Sequence, residues 1–175
     1  MLNKKFGMEP LVSIIMGSTS DLPVMEKTAQ VLNDFKIPFE INALSAHRTP
    51  EEVEKFAKGA AARGIKVIIA AAGMAAHLPG VIAAMTPLPV IGVPIKASLE
   101  GLDSIFSILQ MPPGIPVATV GVNAAQNAGI LAAQIIGTGN QTIMEEIVKH
   151  KENLKKKIVE ANEDLKKVSF PYKTN

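Results

Sequence analysis

Three segments of this chain combine side chains able to grip an anion or move a proton. Gly17-Ser-Thr-Ser-Asp21 offers three hydroxyls and a carboxylate beside a glycine. Ser45-Ala-His-Arg-Thr-Pro50 sets an imidazole next to Arg48, which with Arg63 makes up the chain's arginines. Gly73-Met-Ala-Ala-His-Leu-Pro-Gly80 holds His77 among small residues. Imidazole is the side chain suited to proton transfer near neutral pH, so His47 is a candidate acid/base. A guanidinium near serine hydroxyls suits a phosphate, which points to Arg48 with Ser18, Thr19 and Ser20. Asp21 would repel that phosphate and is better matched to the hydroxyls of a sugar. Plainer roles exist: Ser20 or Asp21 as a helix N-cap, His47 as a loop histidine bonded to backbone.

The elements that carry these segments decide between the two kinds of role. Leu11 to Met16 is a short apolar run ending at Gly17, as in a buried strand. Residues 21–35 place Val24, Met25, Thr28, Val31 and Leu32 at helical spacing, and 38–43 read as a second strand. Thr49-Pro50-Glu51-Glu52 has the form of a capping box with Pro at the first helical position. The helix it opens carries Val53, Phe56, Ala57, Ala60 and Ala61 on one face and stops at Gly64. Strands at 66–72, 89–93 and 116–120 alternate with helices after His77-Leu78-Pro79, at 102–110 and at 124–136. This alternation predicts an α/β fold, a three-layer α/β/α sandwich on a parallel sheet covered on both faces. Five strands favour the flavodoxin-like order over the six-stranded dinucleotide fold. Ligands of such sheets bind beyond the carboxyl ends of the strands. The three segments, together with Pro94-Ile-Lys-Ala-Ser98, must therefore emerge along one edge, and that convergence favours the chemical role for His47. His77, at a helix start, is expected to shape the pocket. Lys96 and Leu99 to Asp103 are near it in sequence but pattern does not place them.

Composition sets the outer limits. A length of 175 residues predicts one domain, with a core over about 11–139 and a helical extension over about 140–175. Hydrophobic residues form 47%, aromatics only 4%, and mean hydropathy is +0.24, an aliphatic, alanine-rich chain that excludes disorder. The net charge of +2 arises after Met144 in a segment of mixed sign, a solvated helix face and not a nucleic-acid footprint. Without cysteine there are no disulfides, thiol nucleophiles or cysteine zinc sites. Two separated histidines with Asp21 as the near carboxylate do not suggest a metal, and no nucleophile elbow of the form G-x-S-x-G occurs. Val67 to Met85 is uncharged, but His77 and Pro79 interrupt it, and the run after Lys4 and Lys5 is too short for a signal peptide; a cytoplasmic protein is expected, off the membrane. The final helix, 141–167, would span about 40 Å. Its narrow stripe of Ile143, Ile147, Leu154, Ile158, Ala161, Leu165 and Val168 favours reaching a neighbouring subunit over folding back. His150, among its lysines, is expected to be solvated.

Those loops, with Ala75-Ala-His-Leu-Pro-Gly80 and Asp103-Ser-Ile-Phe-Ser-Ile-Leu-Gln-Met-Pro-Pro-Gly-Ile-Pro116, closely resemble the class I 5-(carboxyamino)imidazole ribonucleotide mutases of purine biosynthesis, over roughly Val12 to Ile136. The resemblance implies a flavodoxin-like subunit of a homo-octamer that moves a carboxyl group from nitrogen to ring carbon of a small ribonucleotide, without metal or organic cofactor. It assigns the phosphate to Ser20, Ser45 and Arg48, the ribose to Asp21, and acid/base chemistry to His47. Ser18, Ala46, Gly73, Ala75, His77 and Leu78 would line the pocket around the migrating carboxylate. Met74 departs from the pattern, which often has a second glycine there. Two alternatives remain: a direct carboxylase using free carbon dioxide, as in the related class II enzymes, and a nucleotide-binding regulatory module. The Arg48 and Ala75-Ala-His77 motifs point to class I, and the module leaves His47 beside Arg48 without a purpose.

Overall fold

Short apolar runs rich in Val, Ile and Ala pair side by side at the centre of this fold, while the helices around them turn apolar residues inward. The computed structural model describes residues 9–175; Lys4 and Lys5 lie outside them. Among the described residues there are five strands, β1 (Val12–Met16), β2 (Phe39–Ala43), β3 (Val67–Gly73), β4 (Val90–Ile95) and β5 (Ala118–Thr119). They form one parallel sheet in the order β2-β1-β3-β4-β5. That is the flavodoxin-like order, with its switch point between β1 and β3. The helices are α1 (Leu22–Asp34), α2 (Pro50–Ala60), α3 (Leu78–Met85), α4 (Leu102–Leu109), α5 (Ala125–Gly137) and α6 (Gln141–Lys166).

Two apolar clusters cover the two faces of the sheet. One joins Ile14, Ile69 and Ile91 to Met25 and Leu32 of α1, Ala128 and Ala132 of α5, and Ile143 and Ile147 of α6. The other joins Ile15, Ile68 and Val90 to Val53 and Phe56 of α2, Ile82 of α3 and Ile108 of α4. Alternate residues of β1 and β3 thus serve opposite layers, as the period of a strand requires. Small residues set the close approaches. A Cβ at Gly129 would stand 3.1 Å from Val31, so α5 lies directly on α1. There the buried Thr28 hydroxyl donates to the Ala125 carbonyl at 2.7 Å.

Three local expectations change. Thr49 does precede α2, yet its side chain makes no cap bond. Its hydroxyl instead donates to the Ser45 carbonyl and accepts from the Ser45 N–H, at 3.1 and 2.9 Å, closing the loop before the helix. Strand β5 is two residues long, not five. His150 is half-buried where full solvation was expected: its ring meets Phe35 edge-on at 5.4 Å, and its Nε2 is buried without a hydrogen-bond partner.

Helix α6 is seated on α5 only through its first turns. Beyond them Leu154, Ile158 and Leu165 are exposed, as are Phe170 and Tyr172 after the helix. Among the described residues no helix is long and apolar enough to cross a membrane.

Candidate active site

The loops after β1, β2, β3 and β4 close around a cavity of about 460 Å³ at the carboxyl edge of the sheet. Eleven of the residues singled out in the sequence line it: Ser18, Ser20 and Asp21 from the first loop, Ser45, Ala46, His47 and Arg48 from the second, and Gly73, Ala75, His77 and Leu78 from the third. Thr19, counted among the hydroxyl donors, does not.

The polar side is organised by short-range bonds. Ser18 caps the 3-10 turn Thr19–Asp21, accepting from the Ser20 N–H at 3.3 Å and from the Ser20 hydroxyl at 2.9 Å. The N-cap role therefore falls to Ser18; Asp21 precedes α1 but makes no cap bond with its side chain. Arg48 donates from Nη2 to the Gly17 carbonyl at 2.8 Å and from Nε to the Ser45 hydroxyl at 3.4 Å. These contacts tie the second loop to the end of β1 and engage two of the five guanidinium N–H donors. Partial burial pushes the Asp21 carboxyl above its ordinary 3.8, opposed by a hydrogen bond from Ser20. A carboxylate held short of full solvation is a strong acceptor for hydroxyl donors that replace the lost water.

The two histidines meet. His47 Nε2 and His77 Nδ1 stand 2.8 Å apart with the rings nearly perpendicular, at 84°. One of the two nitrogens must carry the hydrogen, so the tautomers of the two rings are coupled. The backbone N–H of His77 donates to the Ala75 carbonyl at 2.8 Å, and His77 is the N-cap position of α3. Thus the third loop sets the orientation of the imidazole facing His47.

The lining contributed by β3, β4 and the residues after them is small and apolar, with Ala72, Gly73, Ala75, Leu78, Ile95 and Ala97. Ile95 and Ala97 lie in the Pro94–Ser98 segment expected at this edge but were not singled out within it, although period-2 alternation past β4 carries the signal: they share a face, and Lys96 between them turns away to pair with Glu100. A Cβ on Gly73 would come 3.3 Å from the Ile95 carbonyl and 3.4 Å from Ala97 Cβ, so glycine allows β3 and β4 to shut this wall. Met74 also lines the cavity, 58% exposed, with φ at +56°. This left-handed conformation is one that glycine adopts without strain. Among the described residues no three His, Asp or Glu side chains gather closely enough to hold a metal ion.

Comparison with known proteins gives a consistent picture. The AIR carboxylase family model matches residues 11–157. The N5-carboxyaminoimidazole ribonucleotide mutase of Thermotoga maritima is 54% identical over 162 residues, 92% of this chain and 95% of that protein. The phosphoribosylaminoimidazole carboxylase of Schizosaccharomyces pombe is 52% identical over the same share of this chain, which spans only 29% of the yeast protein. A crystal structure of Treponema denticola PurE superposes with a TM-score of 0.82 at 36% identity, covering 90% of this chain and 99% of that one.

Proposed function

The chain belongs to the AIR carboxylase family, and from that premise we propose that it is a mutase converting 5-(carboxyamino)imidazole ribonucleotide into 4-carboxy-5-aminoimidazole ribonucleotide. The observation that carries the reading is the cavity's mixed lining, in which Arg48 and serine hydroxyls from the loops after β1 and β2 share one space with small apolar residues of β3 and β4 and with the His47–His77 pair. A ribonucleotide monophosphate has the matching layout. Ser20, Ser45 and Arg48 take its phosphate, Asp21 accepts from the ribose hydroxyls, and the imidazole ring lies toward Ala75, Leu78 and Ile95. Ser18, Ala46, Gly73 and His77 complete the lining.

The reaction needs no net proton. Cleavage of the N–CO2 bond leaves the electron pair on nitrogen, which takes a proton from His47 as carbon dioxide is released. The ring carbon then attacks carbon dioxide, a C–C bond forms, and the hydrogen on that carbon passes back to His47. Only a site that retains carbon dioxide between the two steps completes the migration, which is the service of small apolar walls that exclude water. Phosphate binding remote from the ring supplies orientation.

The same reading makes the protein a cytoplasmic homo-octamer of one-domain subunits, in which the segment after about residue 139 is an extension. Support comes from apolar side chains that its own fold leaves exposed, Leu102, Phe106 and Leu109 on α4 and Leu154, Ile158 and Leu165 on α6. Light scattering on a chain cut after Gly139 tests the extension: loss of the octamer is expected, and an unchanged octamer removes α6 from the interface.

The catalytic proposal is tested by turnover of 5-(carboxyamino)imidazole ribonucleotide in labelled bicarbonate. Unlabelled product is expected. Labelled product would mean that free carbon dioxide is the substrate, making the enzyme a direct carboxylase.

A further inference from the structure

The wall made by Ile95 and Ala97 lies past the point where backbone pairing with β5 stops. Residues Ile91 and Gly92 of β4 pair with Ala118 and Thr119, and the Val120 N–H still reaches the Gly92 carbonyl at 3.1 Å. The chain then turns through Gly121 and Val122, and Asn123 returns to β4. Its backbone N–H donates to the Pro94 carbonyl at 2.8 Å, and its side-chain Oδ1 accepts from the Lys96 N–H at 2.9 Å. In a parallel ladder one residue bonds in this way to the neighbours on either side of its partner, by its own N–H and its own carbonyl. Here the side-chain amide oxygen stands in for the backbone carbonyl, so Asn123 acts as a one-residue strand opposite Ile95.

Asparagine is one of the few residues suited to the task. Asn123 sits at φ +56°, a conformation that asparagine tolerates better than most residues. On its other side Ile95 is paired with Gly73 of β3. The end of β4 is therefore held from both sides, although β5 has ended. The loop that follows is costly to maintain, with Leu99, Glu100 and Gly101 consecutively at φ +44°, +57° and +88°. A clamp at Lys96 separates that loop from the cavity wall.

We propose that Asn123 is a positioning residue for the apolar wall of the active site, acting through Pro94 and Lys96 without touching the substrate. The proposal rests on the mutase reading for its kinetic consequence but not for its structural one. The proposed phosphate grip is carried by the loops after β1 and β2, separated from β4 by β3 in the sheet, so a loosened wall is expected to affect the chemical step more than binding.

The test compares full-length wild type, N123G and N123D in steady-state turnover and in hydrogen exchange over residues 94–98. N123G keeps the backbone conformation and loses the acceptor; N123D keeps an acceptor. N123G is expected to exchange faster over 94–98 and to lose about tenfold in kcat with KM nearly unchanged, since small misplacements in a site carry such costs. N123D is expected to restore slow exchange and most of kcat. Wild-type exchange and kcat in N123G would overturn the proposal, and so would a fall in kcat in both variants that simply follows Tm. If the wild type does not turn over the ribonucleotide, the mutase reading fails, and exchange over 94–98 still decides whether Asn123 holds the strand.

Discussion

Two polar clusters flank β1 and β2, and they are built on opposite terms. Toward the start of the strands, the buried Ser13 hydroxyl donates to Glu40 at 2.9 Å, Arg63 donates to the same carboxylate at 2.9 Å, and the Arg63 guanidinium lies 5.1 Å from the Phe56 ring centre. Each member there is spent on another member. Beyond the ends of the strands, Ser18, Ser20, Asp21, Ser45 and Arg48 are bonded enough to fix their positions but still face an open cavity. The same residue types therefore stabilise the fold at one end and hold binding capacity in reserve at the other. The difference is one of partners and not of chemistry.

The comparison is broken most severely at His47. His47→Asn should lower kcat by about a thousandfold, the usual range for a general acid/base, while calorimetry finds nucleotide affinity retained. Comparable loss of both would remove the division of labour between grip and proton transfer. The arginines sharpen the contrast directly. Arg48→Ala should weaken nucleotide binding by about thirtyfold, as expected for a lost charged hydrogen bond, with Tm nearly constant. Arg63→Ala should do the reverse, lowering Tm by a few degrees through Glu40 and Phe56 with kinetics intact.

Asp21 offers a test in which stability and function oppose each other. Its carboxyl is raised in the folded state, chiefly by burial, so between the unfolded and folded values the native protein holds the extra proton. Stability then declines as pH rises from below 3.8 through the raised value, and above it the ionised group is a standing cost. Asp21→Asn should flatten that part of the pH–stability curve and slightly raise Tm at neutral pH, while KM increases; a lower Tm would contradict the assignment. The smallest effect is expected at Met74. Met74→Gly relieves a left-handed side chain, offset by the entropy of glycine, and should change Tm by only a degree or two.

The layers and the lining of the cavity were legible because they follow from periodicity and from the rule that parallel strands end on one edge. What escaped were bonds whose partner no periodic pattern names. The Thr49 pattern matches a capping box, yet its hydroxyl has a nearer competitor in the backbone of Ser45. His150 stands between Lys149 and Lys151 and reads as part of a wet face; only the seating of α6 beside Phe35 buries its ring nitrogen. Asn123 looks like any loop asparagine, since no one-dimensional pattern distinguishes a side chain that completes a strand ladder from one in water.

The seating of α6 has a mechanical consequence. Its first turns fix its direction through Ile143 and Ile147, with Asn140 accepting from the Ile143 N–H at 3.1 Å as the cap. A Cβ at Gly137 would fall 3.0 Å from Ile147 Cδ1, so this glycine sets how closely the rod can lie. From Ile147 to Lys166 the helix projects a further 28 Å or so. A tilt of about 5° at the joint thus displaces the tip by about 2 Å over that length. A methyl added at Gly137 would have to be absorbed by Ile147 Cδ1, and whatever tilt remained would be amplified at a surface far from the cavity.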